Sequence, residues 1–100
     1  MMLIGSLQTR VAEWVETAFG ARVAADKVEG NHRFLEEALE LVQSLGCPQS
    51  DAHELVRYVY GRPQGEVNQE VGDVMLTLMA LCNASDIDVT RASEKELKRV

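Results

Sequence analysis

Hydrophobic residues along this chain recur at the three- and four-residue spacing of amphipathic helices, and a strand-like alternation persists nowhere. Residues that cap or stop helices bound each apolar segment. The segments begin at Ser6, Asp26, Ser50 or Asp51, Glu66 and Asp88. Glycines close the first three segments, at Gly20, Gly46 and Gly61. The pattern predicts one all-α domain over residues 1–100, a helical bundle of four to five helices.

The second segment opens with Asp26 and Glu29, which have the spacing of a capping box. Gly30 follows directly and is a poor helix former, so we expect the regular helix to begin only near Asn31. The order of residues contains no repeat, no low-complexity run and no internal linker.

The segment from Glu66 to Cys82 is apolar on almost every side of a helix, which predicts a helix enclosed within a core. Glu70 and Asp73 nevertheless lie one turn apart on it. Burial of an unpaired carboxylate is costly or forces it to keep its proton, and a neighbouring acid makes this worse. A positive group is therefore expected beside them.

A second acid pair, Glu37 and Glu40, lies on the earlier long helix, with Glu36 at its margin. Taken alone, this group is ordinary surface charge, as we expect for Glu13 and Glu16 on the first helix. Antiparallel packing of the two long helices would instead bring four carboxylates together. Hard divalent cations with oxygen ligands are the natural partners of such a group, so we expect Mg²⁺, with Mn²⁺ as an alternative.

The composition of the chain argues against several classes of binding partner. Sixteen acids against ten Lys and Arg give a formal charge of −6, which argues against binding nucleic acid or anionic membranes through net charge. No stretch reaches the roughly 18 apolar residues of a membrane span, and the start lacks the pattern of a signal peptide. Cys47 and Cys82 are far apart in sequence, which favours reduced thiols in a cytoplasmic protein.

The two acid pairs and their placement on helices resemble the motifs of a known protein family. EALE at residues 37–40 and EVGD at residues 70–73 lie on two long helices, with a short helix between them and IDV opening a last one. The chain resembles the MazG-like all-α nucleoside triphosphate pyrophosphohydrolases, whose signature is Glu-x-x-Glu followed by Glu-x-x-Asp. The resemblance covers nearly the whole domain, including the common preceding acid at Glu36.

The resemblance implies hydrolysis of a nucleoside triphosphate to the monophosphate and pyrophosphate, in a house-cleaning role on the nucleotide pool. Its metal ligands would be Glu37, Glu40, Glu70 and Asp73, which hold one to three magnesium ions in the family. Glu36 is the candidate for orienting or deprotonating the attacking water. The alternative for Glu36 is an exposed helix acid.

Phosphate contacts are expected from Arg33, Arg91 and Lys95. An ordinary ion pair with Glu37, one turn along the helix, is the favoured alternative for Arg33. Arg91 and Lys95 lie on the last helix, where family members often carry a phosphate-binding base, but the register is inexact. Either the terminal Lys98 and Arg99 substitute, a neighbouring subunit provides the charge, or activity is weakened.

The resemblance also implies a homodimer or higher homo-oligomer. Val71, Met75 and Met79 lie on a different side of their helix from Val74, Leu78 and Leu81, more apolar surface than four short neighbours cover. The alternative function is a non-catalytic helical dimer that binds nucleotide or a protein partner. Three aromatic residues are candidates for base stacking, although each residue type is more often core: Trp14, Phe34 and Tyr58.

Overall fold

The computed structural model describes the backbone of residues 3–100 and the side chains of residues 6–100. Over these residues it contains six α-helices and no strand, which confirms the all-α prediction. The helices are α1 (Leu3–Phe19), α2 (Ala21–Ala24), α3 (Lys27–Ser44), α4 (Gln49–Tyr60), α5 (Val67–Ala84) and α6 (Val89–Arg99). The helix that the sequence did not predict is α2, a single turn that packs on α1.

Carboxylate caps start three of the helices. Asp26 accepts hydrogen bonds from the N–H groups of Val28 (3.0 Å) and Glu29 (3.1 Å), and α3 begins directly after it. The expectation that this helix begins near Asn31 was wrong. The N–H of Gly30 donates to the Asp26 carbonyl at 3.0 Å, so the glycine lies in regular helix. A cost of about 1 kcal/mol for one internal glycine is small beside a satisfied cap and a long helix.

The described chain falls into two compact parts, one ending at Val59 and the other comprising Tyr60–Val100. Helices α3 and α4 follow each other through a tight turn, and so do α5 and α6. We call α3 with α4 the first helix pair and α5 with α6 the second helix pair. The single domain expected over residues 1–100 stays a prediction.

The two helix pairs repeat each other at an interval of 40 residues. Both long helices have 18 residues, and both follow a capping carboxylate, Asp26 or Glu66, that accepts from two N–H groups of the first turn. The following helices begin at Gln49 and Val89.

The turns inside the two pairs use the same hydrogen bonds. In the first, the Cys47 N–H donates to the Val42 carbonyl at 2.9 Å, and in the second the Ile87 N–H donates to the Cys82 carbonyl at 2.8 Å. The left-handed position between them is Gly46 (φ 89°) in the first turn and Asp86 (φ 59°) in the second. These are Schellman-type helix ends.

Only three of the 35 residue pairs matched by this interval are identical: Leu41 with Leu81, Ala52 with Ala92, and Glu54 with Glu94. The expectation of no repeat therefore holds for residue identity, while the helices, caps and turns do repeat.

Burial is low throughout the described residues. Cys82, with 8% of its surface exposed, is the one buried hydrophobic residue among them. Within α5, Val67 and Leu76 are 69% and 66% exposed, so the expectation that this helix is enclosed was wrong for the single chain. The reason is that the helices within each part, apart from α1 and α2, make only marginal contact with one another. None of the described helices combines the length and apolar character needed to cross a bilayer.

Candidate functional site

Three carboxylates lie close together on α3. Glu36, Glu37 and Glu40 are all exposed. The negative charge of Glu37 raises the pKa of the Glu40 carboxyl above its ordinary value, and desolvation and the charge of Glu36 act in the same direction. The three exposed carboxylates thus concentrate negative charge within two turns of α3, and a hard cation suits such a group of oxygen ligands.

Two of these acids border a concave surface. Glu36 and Glu40 line a cleft of about 320 Å³ between α3 and α4, which we call the α3–α4 cleft. Its other lining residues are mainly apolar and amide side chains: Leu39, Val42, Gln43, Cys47, Pro48, Gln49 and Ala52. The carboxylates therefore lie at the edge of a space that has an apolar wall.

The second acid pair lies on α5. The Glu70 side chain folds back over Gly65, the residue before the helix cap. A Cβ added at Gly65 would overlap the Glu70 carboxylate and lie 3.4 Å from its Cγ. Asp73 is exposed, and its backbone carbonyl accepts a hydrogen bond from Thr77 Oγ1 at 2.9 Å. Both carboxylates of this pair are accessible from solvent.

The structure positions each acid pair on its own helix, one in each of the two parts. Among the described side chains, no group of three or more His, Cys, Asp or Glu residues has an arrangement that holds a metal ion. The chemistry of the donors fits a hard divalent cation, since all four predicted ligands are carboxylates exposed to solvent. Convergence of Glu37 and Glu40 with Glu70 and Asp73 stays a prediction.

Arg33 has a different partner from the one expected. Its Nε lies 3.2 Å from Glu29 Oε1, and its guanidinium carbon lies 5.3 Å from the centre of the Phe19 ring. The expected ion pair with Glu37 was therefore wrong. The acid one turn before Arg33 and an aromatic face together draw the guanidinium away from Glu37. A contact of Arg33 with substrate phosphates stays a prediction.

The last helix carries the remaining candidate cations. The Arg91 N–H donates to the Asp88 carboxylate at 2.9 Å as part of the α6 cap, and the Lys95 side chain is exposed. Arg99 forms two hydrogen bonds with the Glu96 carboxylate, at 2.9 and 2.6 Å, and these lower the pKa of Glu96. Arg99 is thus engaged by a neighbouring acid, which leaves Arg91 and Lys95 as the better candidates for phosphate contacts.

The three aromatic candidates differ in burial. Trp14 is half-buried and meets the Phe19 ring edge-on, with 5.7 Å between ring centres. Phe34 and Tyr58 are each 57% exposed, so neither is a core residue of this chain. Exposure keeps both as candidates for stacking on a base.

A further cleft was not predicted from the sequence. It has a volume of about 460 Å³ and lies at the turn between α5 and α6, and we call it the α5–α6 cleft. Its lining residues come from both helices and the turn: Met79, Cys82, Asn83, Asp86, Ile87, Asp88 and Val89. The signal in the sequence was weak, because the turn uses Asp86 where glycine is the usual choice.

The chain was compared with protein-family models, with curated proteins and with solved structures, and nothing matched. The resemblance therefore rests on the two acid motifs and their placement on helices.

Proposed function

We propose that this chain is a magnesium-dependent nucleoside triphosphate pyrophosphohydrolase that converts a nucleoside triphosphate and water to the monophosphate and pyrophosphate. The observation that supports the proposal is the exposed cluster Glu36, Glu37 and Glu40, of which Glu36 and Glu40 line the α3–α4 cleft. Cytoplasmic house-cleaning of the nucleotide pool is the role that we propose with it.

Glu37, Glu40, Glu70 and Asp73 would hold the metal. Bound Mg²⁺ neutralises a triphosphate and lowers the pKa of a water molecule. Arg33, Arg91 and Lys95 bind phosphate oxygens and orient the chain of phosphates.

Glu36 accepts a proton from the attacking water at a carboxylate oxygen. The water oxygen then bonds to the α-phosphorus, and the bond from that phosphorus to the α–β bridging oxygen breaks. Its electron pair leaves with pyrophosphate, in the in-line manner of phosphoryl transfer.

The test is release of pyrophosphate from a panel of ribo- and deoxyribonucleoside triphosphates with magnesium. We expect Glu40→Gln and Asp73→Asn each to lower the rate by about 100-fold, as loss of a metal-positioning group does. Glu16→Gln is the matched control, because Glu13 and Glu16 form another exposed acid pair three residues apart, on α1. Full activity in Glu40→Gln, or no release from any nucleotide, would refute the enzyme proposal.

A second candidate function is a non-catalytic helical dimer that binds nucleotide or a protein partner. The exposed apolar side chains of α4 favour it, with Tyr60 85% and Leu55 57% exposed. Magnesium binding without release of pyrophosphate across the whole panel would support this candidate. In either case we propose a homodimer at least.

A further inference from the structure

Four charged residues lie on one face of α3, since they follow one another at intervals of three or four positions. They are Glu29, Arg33, Glu37 and Glu40. Arg33 is thus one turn away from Glu37, a proposed metal ligand. An arginine at this spacing can pair with the carboxylate and occupy the oxygens that a metal ion needs. The position that Arg33 takes therefore matters for metal binding.

The guanidinium of Arg33 is held on the side of Glu29. Its Nε lies 3.2 Å from Glu29 Oε1, and its guanidinium carbon lies 5.3 Å from the centre of the Phe19 ring. A cation within about 6 Å of the face of an aromatic ring is attracted by it. The pair with Glu29 also has the favoured order, with the acid before the base along the helix. Two contacts together thus favour this position over a pair with Glu37.

The Phe19 ring is itself positioned by α1. Phe19 is the last residue of that helix, and Gly20 follows with a φ of 91°, a left-handed conformation that favours glycine. The Trp14 and Phe19 rings meet edge to face, with 5.7 Å between their centres and 83° between their planes. This preferred arrangement of aromatic pairs orients the ring over which Arg33 lies.

We infer that Phe19 is a positioning residue for the magnesium site: its ring, together with Glu29, keeps Arg33 from pairing with the carboxylates that bind the metal. The inference rests on the magnesium site of the proposed function. Phe19 acts through Arg33 and is not a metal ligand. The Arg33 side chain is 56% exposed, which keeps it accessible to a phosphate oxygen of a bound triphosphate.

The test uses substitutions of Phe19 that leave the net charge unchanged. Phe19→Leu removes the aromatic face, whereas Phe19→Tyr keeps it and is the matched control. Phe19→Leu is made in the wild type, in Glu29→Gln and in Arg33→Gln, and each variant is compared with its own background. Isothermal titration calorimetry without nucleotide gives the magnesium Kd, and circular dichroism establishes that each variant keeps its helix content.

We expect Phe19→Leu to raise the magnesium Kd about twofold in the wild type, where Glu29 still holds Arg33, and about fivefold in Glu29→Gln, the full effect of losing one exposed cation–π contact. Phe19→Tyr should change the Kd by less than about 1.5-fold, because the ring face remains. In Arg33→Gln, Phe19→Leu should have no effect, since the cation that the ring positions is absent.

The possible failures are distinguishable. A wild-type chain that binds no magnesium, or a Glu37→Gln variant that binds it as the wild type does, would overturn the magnesium site and the inference with it. Magnesium binding that depends on Glu37 but is unchanged by Phe19→Leu in the Glu29→Gln background would overturn the role of Phe19 alone. So would an equal rise in the Kd when Phe19→Leu is made in Arg33→Gln.

A second measurement uses the wild-type chain, should Phe19→Leu lose its helices. The side-chain protons of Arg33 lie over the Phe19 ring, so their NMR signals should be shifted upfield and should show nuclear Overhauser effects to the ring protons. Both signatures should persist at saturating magnesium. Their loss on addition of magnesium would overturn the inference.

Discussion

The Glu70 carboxylate lies over Gly65, so close that a Cβ on the glycine would overlap it. Glu70, a proposed metal ligand, is thus close to the turn that precedes its helix. Glu66, between them, caps the helix by accepting the Asn68 N–H at 2.7 Å and the Gln69 N–H at 3.2 Å. The absence of a side chain at residue 65 thus leaves the room that this position of Glu70 requires.

Gly65→Ala should therefore displace the Glu70 carboxylate and weaken magnesium binding. We expect the Kd for magnesium, measured by isothermal titration calorimetry, to rise about tenfold, the smaller of the effects seen when a ligand loses its support. Gly72→Ala is the control, because Gly72 lies on α5 with Glu70 and a Cβ there meets nothing within 4 Å. An unchanged Kd in Gly65→Ala would show that Glu70 does not act from this position.

Gly30→Ala should stabilise the chain. Gly30 lies inside α3, and a Cβ there has open space. Alanine lowers the backbone entropy of the unfolded chain and favours helix, so the free energy of unfolding should rise by about 0.5–1 kcal/mol. Urea unfolding at fixed protein concentration measures this. A loss of stability would mean that the α3 backbone at Gly30 is not regular helix.

The two matched turns should respond in opposite ways to substitution. Gly46→Ala places a Cβ at a φ of 89° and should cost about 1 kcal/mol of unfolding free energy. Asp86→Gly relieves a non-glycine residue at a φ of 59° and should gain about 0.5 kcal/mol. The measurement is again urea unfolding. The same sign of change in both variants would contradict the equivalence of the turns.

The raised pKa of Glu40 predicts that the stability of the folded chain depends on pH. This pKa is raised above 4.5, chiefly by the charge of Glu37, so the folded chain holds this proton more tightly than the unfolded chain does. The resulting stability is present below pH 4.5 and is lost as pH rises through the raised pKa.

Glu40→Gln should therefore melt at a higher temperature than the wild type at neutral pH, and at the same temperature well below pH 4.5. High salt should shrink the difference, because it screens the repulsion. Glu16→Gln, which removes an acid from α1, controls for net charge. Thermal melts followed by circular dichroism provide the data, and a difference of the same size at both pH values would argue against repulsion within the cluster.

Some helix boundaries were predictable from local signals and others were not. The prediction that the first helix begins at Ser6 was wrong, because α1 already includes Leu3, and α4 begins at Gln49, one residue before Ser50.

Asp26 and Asp88 cap the helices that they were expected to cap, and Gly61 follows the last residue of α4. Gly30 misled the prediction, because its local cost is offset by hydrogen bonds along the whole of α3. The single turn α2 has too few residues to show a periodic pattern.

The burial of side chains and the choice of ion-pair partners were harder to predict from the sequence than the helices were. A helix with apolar residues on all sides has the same sequence pattern whether its own chain or another chain covers it. The exposure of Val67 and Leu76 in the single chain could therefore not be predicted from the sequence. Arg33 has acids one turn away on both sides, Glu29 and Glu37. The acid-before-base order favours Glu29, and the Phe19 ring also contacts the guanidinium of Arg33. The repeat could not be predicted from residue types, because Gly46 and Asp86 take the same left-handed position with different side chains.

The central claim is that carboxylates from α3 and α5 act on one magnesium site, and a double-mutant cycle tests it most directly. Magnesium Kd values would be measured by calorimetry for the wild type, Glu40→Gln, Asp73→Asn and the double variant. A shared site predicts that each single change weakens binding by about tenfold or more and that the double change adds much less than a second equal loss. Losses that multiply independently, or single variants that bind magnesium as the wild type does, would contradict it.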